Sequence, residues 1–134
     1  MALLGNKKKY KNVDFLSSFD FAVQGLKTVL REERNMRKHV TSAVLAIILG
    51  FVFRLSIPEW LWLLLAVFLV IIMETFNTVA ENIVDLATNY HFHPLAKAAK
   101  DMAAGAVLLT SIFALIVGAL IFLPRILVIA GNIF

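Results

Sequence analysis

Four polar side chains in the run ETFNTVAENIVDLA, namely Glu74, Asn77, Glu81 and Asp85, recur at steps of three, four and four residues in an otherwise strongly apolar stretch. On a helix turning about 100° per residue, with Glu74 at zero, Asn77 falls at about 300°, Glu81 at about 340° and Asp85 at about 20°. All four share one narrow stripe, about 16 Å long. Carboxylates in this pattern suit a hard cation such as Mg2+, which takes carboxylate oxygens while keeping waters and substrate phosphates. Zinc prefers His and Cys, and the chain has three His and no Cys. Glu81 and Asp85, toward the polar end of the stripe, suit Mg2+ with a nucleotide, whereas Glu74, the deepest, suits a base acting on something that arrives through lipid. Lys100 and Asp101 supply a phosphate partner and a further polar contact. A structural alternative stands beside this one: the same acids with Lys97, Lys100 or Arg37 form an interhelical polar network.

The elements that must carry the stripe follow from composition. Of 134 residues, 60% are hydrophobic and 16% charged, and the mean hydropathy is +0.84. That balance excludes intrinsic disorder and exceeds what a soluble domain of this size can bury. The class is an all-α integral membrane protein: an N-terminal amphipathic surface helix and three transmembrane helices in one domain over residues 13–134. Residues 1–12 form a basic tail with Lys7, Lys8, Lys9 and Lys11. From about 14 to 36, Phe15, Phe19, Ala22, Val23, Leu26, Val29 and Leu30 recur at helical steps opposite Asp20, Gln24, Lys27, Arg31 and Arg34, the pattern of a helix lying in the bilayer interface. Transmembrane helices are expected at about 39–57, 60–86 and 100–123. The second has only 14 uncharged residues, Trp60 to Met73, against the roughly 20 needed to span. It must therefore take Glu74 and its stripe against the hydrocarbon, where acids face the bundle interior and mark functional sites.

Charge sets the orientation. Nine of the 13 Lys and Arg residues precede the first apolar run, and Lys97 and Lys100 bring the count on that side to 11, leaving Arg54 and Arg125 opposite. By the positive-inside rule the N-terminus and the loop from about Thr88 to Ala99 are cytoplasmic. The net charge of +4 is thus an orientation signal, and no nucleic-acid partner is expected. Other motifs are weak or absent. His91 and His93 lack further ligands for zinc, and His39 reads as an interfacial residue. Trp60 and Trp62 fit an outer aromatic belt, and Asp14, Asp20, Glu32 and Glu59 read as ordinary surface groups. No G-x-S-x-G and no G-x-x-x-x-G-K-[ST] occurs. An oligomeric ion or proton conduit is the competitor from another class, but the outer half of the second helix carries no charge to serve it.

The E-x-x-N-x-x-x-E-x-x-x-D spacing, together with AKAAKDMAAGAVLL at 96–109 and GLKTVLREERNMRKH from Gly25, resembles the small prokaryotic diacylglycerol kinase family. The likeness runs over about residues 15–123 and is greatest to the Gram-positive branch, whose members act chiefly as undecaprenol kinases. The resemblance implies a homotrimer of three-helix protomers with active sites between neighbouring subunits, in the bacterial cytoplasmic membrane. It implies ATP as phosphoryl donor and a lipid alcohol, undecaprenol or diacylglycerol, as acceptor. It matches Glu74 to the general base and Asn77 to its neighbour, and Glu33 in REERN and Glu81 to the carboxylates that hold the metal. Asp85, Lys100 and Asp101 match nucleotide contacts, with Lys100 on the phosphates and Tyr90 and His91 near the adenine. The chain departs from the Gram-negative pattern in having Ala104 for a Ser, Phe21 for a Tyr and one extra residue between Asp85 and Lys100. The two lost hydroxyls favour the polyprenol branch.

Phosphoryl transfer asks mainly for positioning and charge neutralisation, which a few carboxylates, Mg2+ and one Lys supply without a Walker loop. Chelation of Mg2+ should abolish turnover of labelled ATP into lipid phosphate; undiminished transfer in chelator contradicts the metal role of Glu33 and Glu81.

Overall fold

The computed structural model describes residues 15–131, all of them in helices or short connections. The basic tail expected over 1–12 lies outside the described residues. Four helices follow in order: α1 (Phe15–Glu32), α2 (Arg34–Val52), α3 (Ile57–Thr88) and α4 (Pro94–Gly131). α3 and α4 are each long and apolar enough to cross a bilayer, whereas the first turns of α2 carry Arg34, Arg37, Lys38 and His39.

The surface helix, expected to run to about residue 36, stops at Glu32, and the next helix begins at Arg34 instead of about residue 39. Glu33 alone breaks the path, with extended backbone at φ −92° and ψ 118°. Such a break strips carbonyls at the end of α1 of their helical donors. Arg37 answers this from α2, its Nη1 donating to the Arg31 carbonyl at 2.7 Å. The junction therefore presents Glu33 between two helices. On α1 itself Val29 is buried against the bundle, while Phe15, Phe19, Phe21 and Leu26 are exposed.

α3 starts where Ser56 and Glu59 meet. The Ser56 backbone N–H and hydroxyl both donate to Glu59 Oε2, at 2.9 and 2.7 Å, and Pro58 occupies the first turn, where its missing N–H is harmless. Glu59 is no ordinary surface group. Arg125 Nη2, from the far end of α4, donates to both of its carboxylate oxygens at 2.8 and 2.9 Å. At the other end of α3, Lys100 Nζ donates to Asp85 Oδ1 at 2.5 Å. One pair joins the start of α3 to the end of α4, and the other joins the end of α3 to the start of α4. The two helices therefore run antiparallel, in a register pinned at both ends.

α4 extends beyond the expected 100–123 in both directions and passes through Pro124. A proline there removes one backbone donor and crowds the preceding turn. Arg125 Nη1 adds a donor in the same turn, to the Ile121 carbonyl at 2.6 Å.

Between the two pinned ends, α3 buries Leu63, Ala66, Val70, Glu74 and Thr78, a single face at three- and four-residue steps. Leu63 and Ala66 pack with Val117, Ile121, Phe122 and Leu55 into the main apolar cluster, at the Glu59 end of the bundle. Glu74 continues the face that begins in this core. The opposite faces, with Leu61, Phe68, Leu115 and Leu120, stay exposed and apolar, as suits a lipid-facing or subunit-facing surface.

Trp60 turns its indole onto α2, with its ring 4.8 Å from that of Phe51, and covers Gly50. A Cβ added at Gly50 would lie 2.7 Å from Trp60 Cη2. Gly50→Ala should therefore destabilise the protein in detergent by about 1–3 kcal/mol through overpacking, and adding Trp60→Leu should recover part of the loss. An unchanged unfolding midpoint in Gly50→Ala would refute this packing.

Candidate active site

The expected stripe on α3 is one continuous polar edge. Its deep end is Glu74, whose side chain is only 3% exposed. The Thr78 hydroxyl donates to the Glu74 carbonyl at 3.0 Å, which occupies the next polar group along the face with backbone. Asn77 Nδ2 donates to Glu81 Oε1 at 3.0 Å and so orients the second carboxylate from one turn away. Asn77 Oδ1 is buried with no hydrogen-bond partner. Such an orphaned oxygen needs a cation, a donor or water to offset its desolvation.

Glu33 and Glu81 lie within electrostatic reach of Glu74, and so does His39, whose Nε2 is 4.0 Å from Glu74 Oε2. Three acids thus converge from two places: Glu74 and Glu81 from α3, and Glu33 from the break between α1 and α2. The break sets Glu33 at the junction of α1 and α2, within that reach. Among the described residues, no three His, Asp or Glu side chains approach closely enough to enclose a metal by themselves. Two carboxylates and the unpartnered Asn77 oxygen are nevertheless a fitting donor set for Mg2+, which completes its shell with water and substrate phosphate.

At the shallow end, a cleft of about 480 Å³ opens between the end of α3 and the start of α4. Its lining includes Asp85, Tyr90, His91, Lys97, Lys100 and Asp101. The structure therefore gathers five of the nine expected site residues here, sets Glu74, Asn77 and Glu81 further along the same edge, and leaves Glu33 at the junction of α1 and α2. Lys100 is held by Asp85, and Lys97 is paired with Asp101. The loop between the helices is shaped by two consecutive left-handed residues, Asn89 at φ 51° and Tyr90 at φ 61°. Asn tolerates that region, but an aromatic residue does so only under strain. The Asn89 and Tyr90 conformations turn the chain so that Tyr90 N–H reaches the Asp85 carbonyl at 3.1 Å. The Tyr90 side chain is left at the cleft, 84% exposed.

A model of the prokaryotic diacylglycerol kinase family matches residues 20–122, a span that holds the whole stripe, the cleft and Glu33. The chain belongs to the prokaryotic diacylglycerol kinase family. Among its relatives, the undecaprenol kinase of Bacillus subtilis is 45% identical over 111 residues, covering 83% of this chain and 89% of the relative. A diacylglycerol kinase of Synechocystis is 40% identical over 114 residues, covering 85% of this chain and 65% of that protein. A diacylglycerol kinase of Helicobacter pylori is 40% identical over 93 residues, covering 69% and 72%. Membership makes this chain a membrane lipid kinase with ATP as phosphoryl donor.

His39 is the polar neighbour that sequence reasoning missed. It reads as an interfacial residue because nothing in one sequence reports the register between α2 and α3, and only that register sets it opposite Glu74.

Proposed function

We propose that this chain phosphorylates undecaprenol at the cytoplasmic membrane face, with Glu74 as the general base. The observation that carries the reading is a carboxylate buried on the packed face of a membrane-length helix, at the end of a polar edge that leads to a cleft lined by Lys97, Lys100, Asp85 and Asp101. A buried acid is costly to keep unless it serves chemistry or is fully paired. In the same reading the apolar stretch from Val40 to Val52 of α2 is a third crossing, the N-terminus is cytoplasmic, and three copies assemble with active sites between neighbours. The undecaprenol assignment draws on the Bacillus relative and on Phe21 and Ala104, which lack hydroxyls. Diacylglycerol is the alternative acceptor, after the names of the Synechocystis and Helicobacter relatives.

The nucleotide lies along the polar edge, with its base near Tyr90 and His91 and its phosphates passing Lys100. Asp85 holds the Lys100 ammonium toward the cleft, and Asp101 closes the rim. Glu33 and Glu81 would hold Mg2+, which when bound neutralises charge on the β- and γ-phosphates. Asn77 keeps Glu81 oriented for that task. Glu74 accepts the proton of the lipid hydroxyl. The freed oxygen bonds to the γ-phosphorus while the bond from that phosphorus to the β–γ bridging oxygen breaks, and ADP leaves with the electron pair. Because Glu74 sits at the apolar end, the alcohol reaches it from the bilayer while the phosphates come from the aqueous cleft. A conduit would need charges through the thickness, and none lies between Glu59 and Glu74.

Glu74→Gln preserves shape and removes the base. It should keep MgATP binding and thermal stability while lowering kcat for lipid phosphorylation by about 100-fold or more. Native kcat in that variant would contradict the mechanism.

A further inference from the structure

A base must be held as well as deprotonated. The Glu74 carboxylate accepts no hydrogen bond from the described residues. The nearest candidates are committed elsewhere, since the Thr78 hydroxyl serves the Glu74 backbone carbonyl and the Asn77 amide serves Glu81. The charged neighbours Glu33 and Glu81 repel it. What faces it from the opposing helix is His39, with Nε2 at 4.0 Å and a side chain 26% exposed. His39 stands on the first turns of α2, so its ring reaches α3 from a rigid element rather than from a loop. About 1 Å of side-chain rotation separates the pair from hydrogen-bond distance. Contacts to catalytic groups commonly tighten in this way once substrate is bound.

The position of His39 bears on the lipid as well. It forms a polar end of an apolar groove of about 360 Å³ between α2, α3 and α4, lined by Ala43, Ala46, Ala66, Val70 and Ala114 among others. The imidazole thus lies where the apolar interior meets the base.

We infer that His39 is a positioning residue for Glu74, its Nε2–H holding the carboxylate in the orientation that meets the lipid hydroxyl. This rests on Glu74 being the base. His39 keeps its own proton throughout. The hydroxyl proton goes to Glu74, the lipid oxygen bonds to the γ-phosphorus, and ADP departs with the electrons of the broken phosphorus–oxygen bond. A neutral donor at the same reach should therefore serve nearly as well as imidazole, and an apolar side chain of similar size should not.

The experiment compares His39→Leu and His39→Gln in the full-length protein in detergent, with MgATP and undecaprenol. His39→Leu should lower kcat by about tenfold or more, with KM for ATP and for lipid within about twofold of native. His39→Gln, which retains an N–H donor, should restore kcat to within about threefold of native. In a Glu74→Gln background, His39→Leu should lower the residual rate no further. Equal losses in His39→Leu and His39→Gln, or a loss confined to KM, would overturn the positioning role. Native kcat in His39→Leu beside an inactive Glu74→Gln would overturn it too, and would leave the base assignment standing. Native kcat in both His39→Leu and Glu74→Gln would instead overturn the base assignment, and the positioning role with it.

Discussion

A carboxylate on the packed face of an apolar helix is the constraint to which the rest of the molecule answers. Burying an ionised acid without partners is prohibitive in a low-dielectric setting, so the fold must supply counter-groups or a reason to tolerate the cost. Glu74 continues the buried face formed by Leu63, Ala66 and Val70, and it stands just where that face passes from core to polar edge. Had it lain one residue earlier or later, its side chain would have turned by about 100° toward the apolar exterior. Its placement therefore requires that α3 be held in one rotation against α2 and α4.

The two ion pairs supply that rotation. Glu59 with Arg125 and Asp85 with Lys100 tie α3 to α4 near both ends, 66 and 15 residues apart in sequence. Between them the Leu63, Ala66, Val117 and Ile121 cluster fills the Glu59 end of the interface, and the buried face of α3 runs on from it to Glu74. The same Asp85 and Lys100 pair also lines the cleft, so the contact that fixes helix register also holds the cation that the proposed mechanism sets beside the phosphates. The break at Glu33 does comparable work on the other side. Without it, α1 and α2 would be a single helix, and Glu33 would not stand at a bend facing the stripe.

Much of this was legible from the residues. The stripe from Glu74 to Asp85 follows from a 3.6-residue period alone, and the shortage of uncharged residues after Trp60 already forces it against the membrane. The relation between helices was hidden. Glu59 looked like a surface acid because its partner is 66 positions away, and His39 looked interfacial because only tertiary register brings it opposite Glu74. The end of α1 was missed because the polar run from Arg31 to Asn35 holds no Gly or Pro to mark a helix end, and one extended residue at Glu33 leaves no mark in composition. The left-handed pair at Asn89 and Tyr90 escaped for a different reason: Asn signals such a turn, but Tyr argues against it, and the strain persists because the cleft loop over-determines it.

The division of the site into an apolar end with Glu74 and an aqueous end with Lys100 makes a claim about where the two substrates meet, and about which alcohol is brought there. The direct measurement presents purified protein with labelled MgATP and, in parallel, undecaprenol and diacylglycerol, and compares kcat/KM for the two lipids. Phosphoryl transfer to undecaprenol at the higher kcat/KM is the predicted result. Preference for diacylglycerol would contradict the acceptor assignment, and no transfer to either lipid would contradict the account as a whole.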